Sequence, residues 1–183
     1  ETIFAGLLTN KYDVVISGVT ITEERKEKMN FSDPYFEAGQ GIVVRKDYDG
    51  IKDENDFPGK TLGVQISTTA DEVVTRMQEG TDENEGKQIA IKEIKRYDNY
   101  PQALVDLQKG NLDAVVVDKP VGVSYVADHG DKVKLVSEEP FVAEYTGIAL
   151  RKEDTELLAK INAALKKFKE DGTYQAMYDK WFD

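Results

Sequence analysis

Arg25 is the side chain in this sequence best suited to hold a small anion, because its planar guanidinium matches a carboxylate with two parallel hydrogen bonds. It follows Ser17-Gly18-Val19-Thr20-Ile21-Thr22-Glu23-Glu24, which offers hydroxyls and backbone N–H groups at the end of an apolar run. Two more apolar runs end in polar groups. Val64-Gln65-Ile66 leads to Ser67-Thr68-Thr69, and Val115-Val116-Val117 leads to Asp118. The three sets together supply donors, a cation and an anion, the complement of a zwitterion. Arg25 would take a carboxylate and Asp118 an ammonium group. The first and third sets also have plainer readings. Thr22 can cap a helix that starts at Glu23, with both glutamates in the favourable first turn and Arg25 in solvent. Asp118 can cap a helix that Pro120 starts as its first residue.

The elements that must carry these groups alternate. Tyr12 to Ile16, Lys60 to Ile66 and Leu112 to Val117 read as short buried strands, with further strand candidates at 39–45, 89–96 and 132–136. Helical spacing marks 70–78 through Val73, Val74 and Met77, and 100–109 through Ala103, Leu104 and Leu107. It also marks 155–169 through Leu157, Leu158, Ile161, Leu165 and Phe168, before a last helix that ends at Trp181. Ile3, Phe4, Leu7 and Leu8 share one face of a helix with no cap before it. Residues 29–36, aromatic and broken by Pro34, read as a loop. Strand and helix alternating through 13–136 predict an α/β fold with mostly parallel strands. In such sheets small ligands bind at the carboxyl ends of the strands.

The whole composition narrows the functions available. The 183 residues suffice for one large domain or two small lobes. Hydrophobic residues at 40% and charged residues at 32% fit an ordinary globular protein. A net charge of −11 argues against a nucleic-acid partner. With no cysteine there is no disulfide or thiolate chemistry. No apolar run reaches the length of a membrane span. His129, the single histidine, reads as part of a surface turn rather than as a metal ligand or catalyst. The acidic run 79–87 lacks the ligand spacing of a calcium loop and reads as solvated. No metal or cofactor is expected, and no carboxylate pair stands out as an acid/base dyad. Tyr97, Tyr100 and Tyr125 read as core or rim residues, and Trp181 and Phe182 as packed on their lobe.

Several runs resemble the polar amino-acid branch of the extracytoplasmic solute-binding proteins that feed ABC importers. They are the stretch from Asp13 through Ser17, Gly18 and Thr20 to Arg25, then Phe31-Ser32-Asp33-Pro34-Tyr35, Gly63 to Thr69, Leu112 to Asp118, and Gly147 to Lys152. The ending from Asp171 to Trp181 matches as well, and the runs come in the family's order along the whole chain. The resemblance implies a two-lobed periplasmic-binding-protein type II fold with the ligand cleft between the lobes. Lobe 1 would be 1–35 and 147–183, lobe 2 would be 40–141, and the hinges 36–39 and 142–146. Carried over by position, Gly18 and Thr20 would bind the ligand carboxylate beside Arg25, and Thr69 would add a further donor. Asp118 would hold the α-ammonium group, Ser17 and Thr68 would be lesser participants, and Gln65 would read the ligand side chain.

The same resemblance implies a free polar L-amino acid as ligand, with glutamine and arginine among the candidates. It also implies the membrane subunits of an importer as partners. The location would be extracytoplasmic, in a periplasm or as a cell-surface lipoprotein of a Gram-positive cell. Alternatives on the same fold are an amino-acid-sensing receptor module and, less favoured, a dehydratase-type enzyme. The chain departs from the family's pattern at two places. The strand–helix–strand portion that precedes Glu1 in the family is not in this sequence, so lobe 1 is expected to be incomplete. It would then need a complementing N-terminal segment or another copy. Ser67 stands where the family usually has glycine, and a local backbone shift is expected there.

Overall fold

The computed structural model describes residues 2–81 and 88–182, so most of the acidic run 79–87 lies outside it, as does the side chain of Phe182. The chain divides into two units, Glu1–Glu37 with Glu144–Asp183, and Ala38–Ala143.

The first unit is mostly helical. It contains α1 (Thr2–Leu8), α2 (Glu23–Lys28), β1 (Asn30–Phe31), β8 (Ala149–Leu150), α6 (Thr155–Glu170) and α7 (Thr173–Phe182). β1 and β8 form an antiparallel pair, with Asn30 opposite Leu150 and Phe31 opposite Ala149. Residues 29–36 are therefore more than a loop. The Ser32 Oγ accepts the Ile148 N–H at 2.9 Å, and the Ser32 N–H returns a bond to the Ile148 carbonyl at 2.9 Å. These bonds keep the run extended although Pro34 cannot donate.

Tyr12 to Ile16 is not a buried strand. Val15 makes one antiparallel bridge to Ala149 and Thr20 another to Thr146, while Ile16 is 62% exposed. A buried strand needs neighbours on both sides, and among the described residues the segment 12–16 bridges only to Ala149. The core here is small: Leu7, Val15, Val19, Met29 and Ala149, with Phe4 and Phe31 against it. α6 buries none of its residues fully. Trp181, expected to pack, is 74% exposed; α7 ends with its apolar side uncovered.

The second unit holds a mixed sheet. Its strands are β2 (Phe36–Arg45), β3 (Thr61–Gln65), β4 (Glu93–Tyr97), β5 (Ala114–Asp118) and β6 (Val133–Leu135). Their spatial order is β4-β3-β5-β2-β6, and β7 (Val142–Thr146) also pairs with β2. β2 and β7 each include the point where the chain passes between units. The helices are α3 (Thr69–Glu79), α4 (Tyr100–Gln108) and α5 (Lys119–His129). β3 runs parallel to β4 and β5, but β2 runs antiparallel to β5 and β6. The expectation of mostly parallel strands thus holds only where α3 and α4 supply the crossovers. β2 enters the middle of the sheet with no helix before it and runs against its neighbours.

Alternation along β2 and β5 fills both faces of this sheet. Ile42, Val44, Leu62, Val64 and Val116 pack with Phe57, Val73, Val74 and Met77 on one face. Val43, Val115 and Val117 pack with Tyr100, Leu104 and Leu107 on the other. Burial on both faces is why these strands read as unbroken apolar runs. His129 is the last residue of α5 rather than part of a turn, with its ring stacked on Tyr125 at 4.2 Å between centroids.

Candidate functional site

The expected site residues fall into two groups, one in each unit. In the second unit, β3 ends at Gln65 and the chain turns through Ser67 into α3. Ser67 has φ of 61°, the left-handed conformation that glycine adopts freely and other residues adopt at a cost. The backbone thus keeps the glycine-like turn with serine in place. Thr68 is the N-cap of α3: its hydroxyl accepts the Asp71 N–H at 3.3 Å and donates to the Gln65 carbonyl at 2.7 Å. Thr69 opens the helix and is buried. Gln65 turns its side-chain oxygen to the Tyr100 N–H at 3.1 Å, in the first turn of α4. Thr68 and Gln65 therefore both serve helix starts.

Asp118 behaves differently. It occupies the N-cap position of α5 but makes no side-chain capping bond. Its Oδ1 instead accepts a hydrogen bond from Gln40 Nε2 at 3.0 Å. The same nitrogen donates to Thr69 Oγ1 at 3.1 Å. One buried amide thus ties together two residues from separate strand ends. Pro120, placed one position inside the start of α5, fits a helix end where N–H groups lack intrahelical partners.

In the first unit, Thr22 caps α2 by accepting the Arg25 N–H at 3.2 Å, as the sequence predicts. The half-buried Arg25 side chain is not simply solvated. Its Nη1 donates to the Thr20 carbonyl at 3.0 Å, and the guanidinium lies 5.3 Å from the centre of the Phe4 ring. These contacts fix the fork beside Thr20. The Thr20 hydroxyl is buried and donates to Glu144 Oε2 at 2.8 Å. Gly18 has φ of 53°, with open space where a Cβ would stand. Burial pushes the Tyr35 hydroxyl above its ordinary value, with a backbone hydrogen bond from Gly18 acting the other way. Ser17 lies exposed on the same loop.

The sequence reading missed two residues. Gln40 is fully buried in β2; the available signal was one polar residue between Gly39 and Gly41 at the head of an apolar strand, which needs partners. Arg151 is buried too. It donates to the Tyr12 carbonyl at 2.6 Å and pairs with Asp154 at 2.8 Å, anchoring the segment that leads to Gly18. Among the described residues there is no group of three or more His, Asp or Glu that could hold a metal ion. No helix among them is long and apolar enough to cross a membrane.

Residues 1–183 match the bacterial extracellular solute-binding proteins, family 3, and the chain belongs to that family. It is 36% identical over 179 residues to the L-cystine-binding protein TcyJ of Escherichia coli K12, covering 97% of this chain and 63% of TcyJ. A solved ancestral arginine-binding protein bound to arginine is 45% identical, with a TM-score of 0.88, over 99% of this chain and 76% of its own. An ancestral amino acid-binding protein described as a precursor of cyclohexadienyl dehydratase is 38% identical. Its TM-score is 0.85, over 99% of this chain and 74% of its own. The chain thus spans less than two thirds of the curated relative's length and about three quarters of the two solved chains.

Proposed function

We propose that this chain is the larger part of a receptor that binds a free polar L-amino acid outside the cytoplasm and delivers it to an ABC importer. In this reading Gly18, Thr20 and Arg25 take the ligand carboxylate with Thr69, and Asp118 takes the α-ammonium group. Ser17 and Thr68 take lesser parts, and Gln65 stands where it reads the ligand side chain. Residues 36–39 and 142–146 act as hinges, and the location is a periplasm or the surface of a Gram-positive cell. The uncovered apolar side of α7 meets a complementing segment or another copy. The observation that carries the reading is the Asp118 side chain, which sits at a helix start yet gives its carboxylate to Gln40 and not to the helix. An acid arranged in that way is held for something other than capping. Support also comes from relatives whose names record cystine and arginine as ligands.

Calorimetric titration with the common L-amino acids, a sugar panel and dicarboxylates tests it. One polar amino acid, glutamine or arginine among the candidates, should bind far more tightly than any sugar or dicarboxylate. Preference for a sugar or dicarboxylate over every amino acid would overturn the proposal.

A further inference from the structure

We infer that Gln40 is a positioning residue of the amino-acid site, setting the direction of the Asp118 carboxylate and the polarity of the Thr69 hydroxyl from a fully buried place; the inference rests on the reading just proposed. Gln40 lies opposite Asp118 in the antiparallel register of β2 and β5. Its Nε2 reaches Asp118 Oδ1 at 3.0 Å and Thr69 Oγ1 at 3.1 Å. The direction of these bonds follows from chemistry. An ionised carboxylate only accepts, so the amide nitrogen and not the oxygen must face it. A primary amide carries two N–H donors on that nitrogen, one for each acceptor.

Two consequences follow. The bond to Asp118 involves a charged acceptor and is stronger than a neutral one, so it holds the carboxylate in one orientation. The Thr69 oxygen accepts from Gln40, so its single O–H must donate in some other direction. The amide thereby fixes an acceptor at Asp118 and a donor at Thr69, which is the pattern an α-ammonium and an α-carboxylate require. Packing alone does not call for glutamine here. A buried amide is costly unless bonded, and the residues that follow Gly41 in the strand, Ile42, Val43 and Val44, are apolar and buried.

The test compares amino acids with analogues that lack only the ammonium group. Wild-type protein, Gln40→Met and Gln40→Glu are titrated with L-arginine and 5-guanidinopentanoate, and with L-glutamine and 4-carbamoylbutanoate. Methionine keeps the length without a donor; glutamate keeps the shape and sets an acceptor against Asp118. Wild type should prefer the bound amino acid over its analogue by about a hundredfold or more, the scale of a lost buried partner for a charge. Both variants should lose most of that preference; the analogue, which still presents its carboxylate to Thr69, should weaken far less than the amino acid. If Gln40→Met or Gln40→Glu weakens amino acid and analogue equally, Gln40 only supports the fold and the inference is wrong. Unchanged affinity for the amino acid would overturn it too. Failure of the wild type to bind any amino acid would remove the reading beneath it, a result separate from either of those.

Discussion

The second unit buries its sheet on both faces, whereas the first keeps most of its apolar residues only partly covered. Leu62, Val64, Val115 and Val117 have no exposed surface. In α6, by contrast, Leu157, Leu158, Ile161 and Leu165 are half-buried, and Phe168 is exposed. The difference is one of neighbours. Parallel crossovers through α3 and α4 give the second unit a helix on each face of a sheet, while the first has a two-residue pair of strands and a handful of core side chains. The candidate site residues of the second unit therefore stand on the edge of a well-packed sheet. Arg25 in the first is held at its surface by the Thr20 carbonyl and the Phe4 ring.

Truncating the two cores should sharpen this contrast most. Leu62→Ala removes a fully buried side chain between sheet and helix and should cost about 2–5 kcal/mol of stability. Leu158→Ala, on half-buried α6, should cost about 1 kcal/mol or less. Denaturant unfolding of both variants measures this, and equal losses would show that the first unit is packed as well as the second. A smaller effect is expected from the exposed end of α7. Wild-type protein should self-associate through Met177 and Trp181, and replacing both by serine should weaken that association about tenfold, or 1.4 kcal/mol. Sedimentation velocity across a concentration series reads it; a wild type that stays monomeric would mean this face is harmless as it stands. The smallest effect lies within the well-packed unit. Ser67→Gly relieves a left-handed φ and should stabilise by up to about 1 kcal/mol. A loss of stability there would mean that the serine side chain matters more than the backbone it strains.

The sequence made some of this legible and hid the rest for physical reasons. Apolar runs flanked by turn residues located β3, β5, α3 and α4 closely, because burial on both faces leaves an unmistakable pattern. Thr22 announced its helix in the same way, through a hydroxyl three residues before the N–H it accepts. The run at 12–16 misled, since an apolar stretch says nothing about whether neighbours exist to cover it. Trp181 misled for the same reason. Periodicity could not give strand direction, so the antiparallel entry of β2 was out of reach. Among the candidate site residues, Thr68, Thr69 and Asp118 were visible as polar ends of apolar runs. Their division of labour was not, because Thr68 caps a helix and Asp118 does not, and only the position of Gln40 separates them. Gln40 itself looked like part of a glycine-rich strand entry.

The amino-acid reading depends most directly on Asp118. Asp118→Asn keeps the shape, and its amide oxygen can still accept from Gln40, so folding should be preserved. The ammonium group of a bound amino acid would lose its counter-charge. Measured side by side, the melting temperature should stay nearly constant. The dissociation constant for the best amino acid should rise by a factor of hundreds or more, on the order of 3–5 kcal/mol. A dissociation constant that does not move while the melting temperature falls would contradict the account, leaving Asp118 as part of the sheet edge and nothing more.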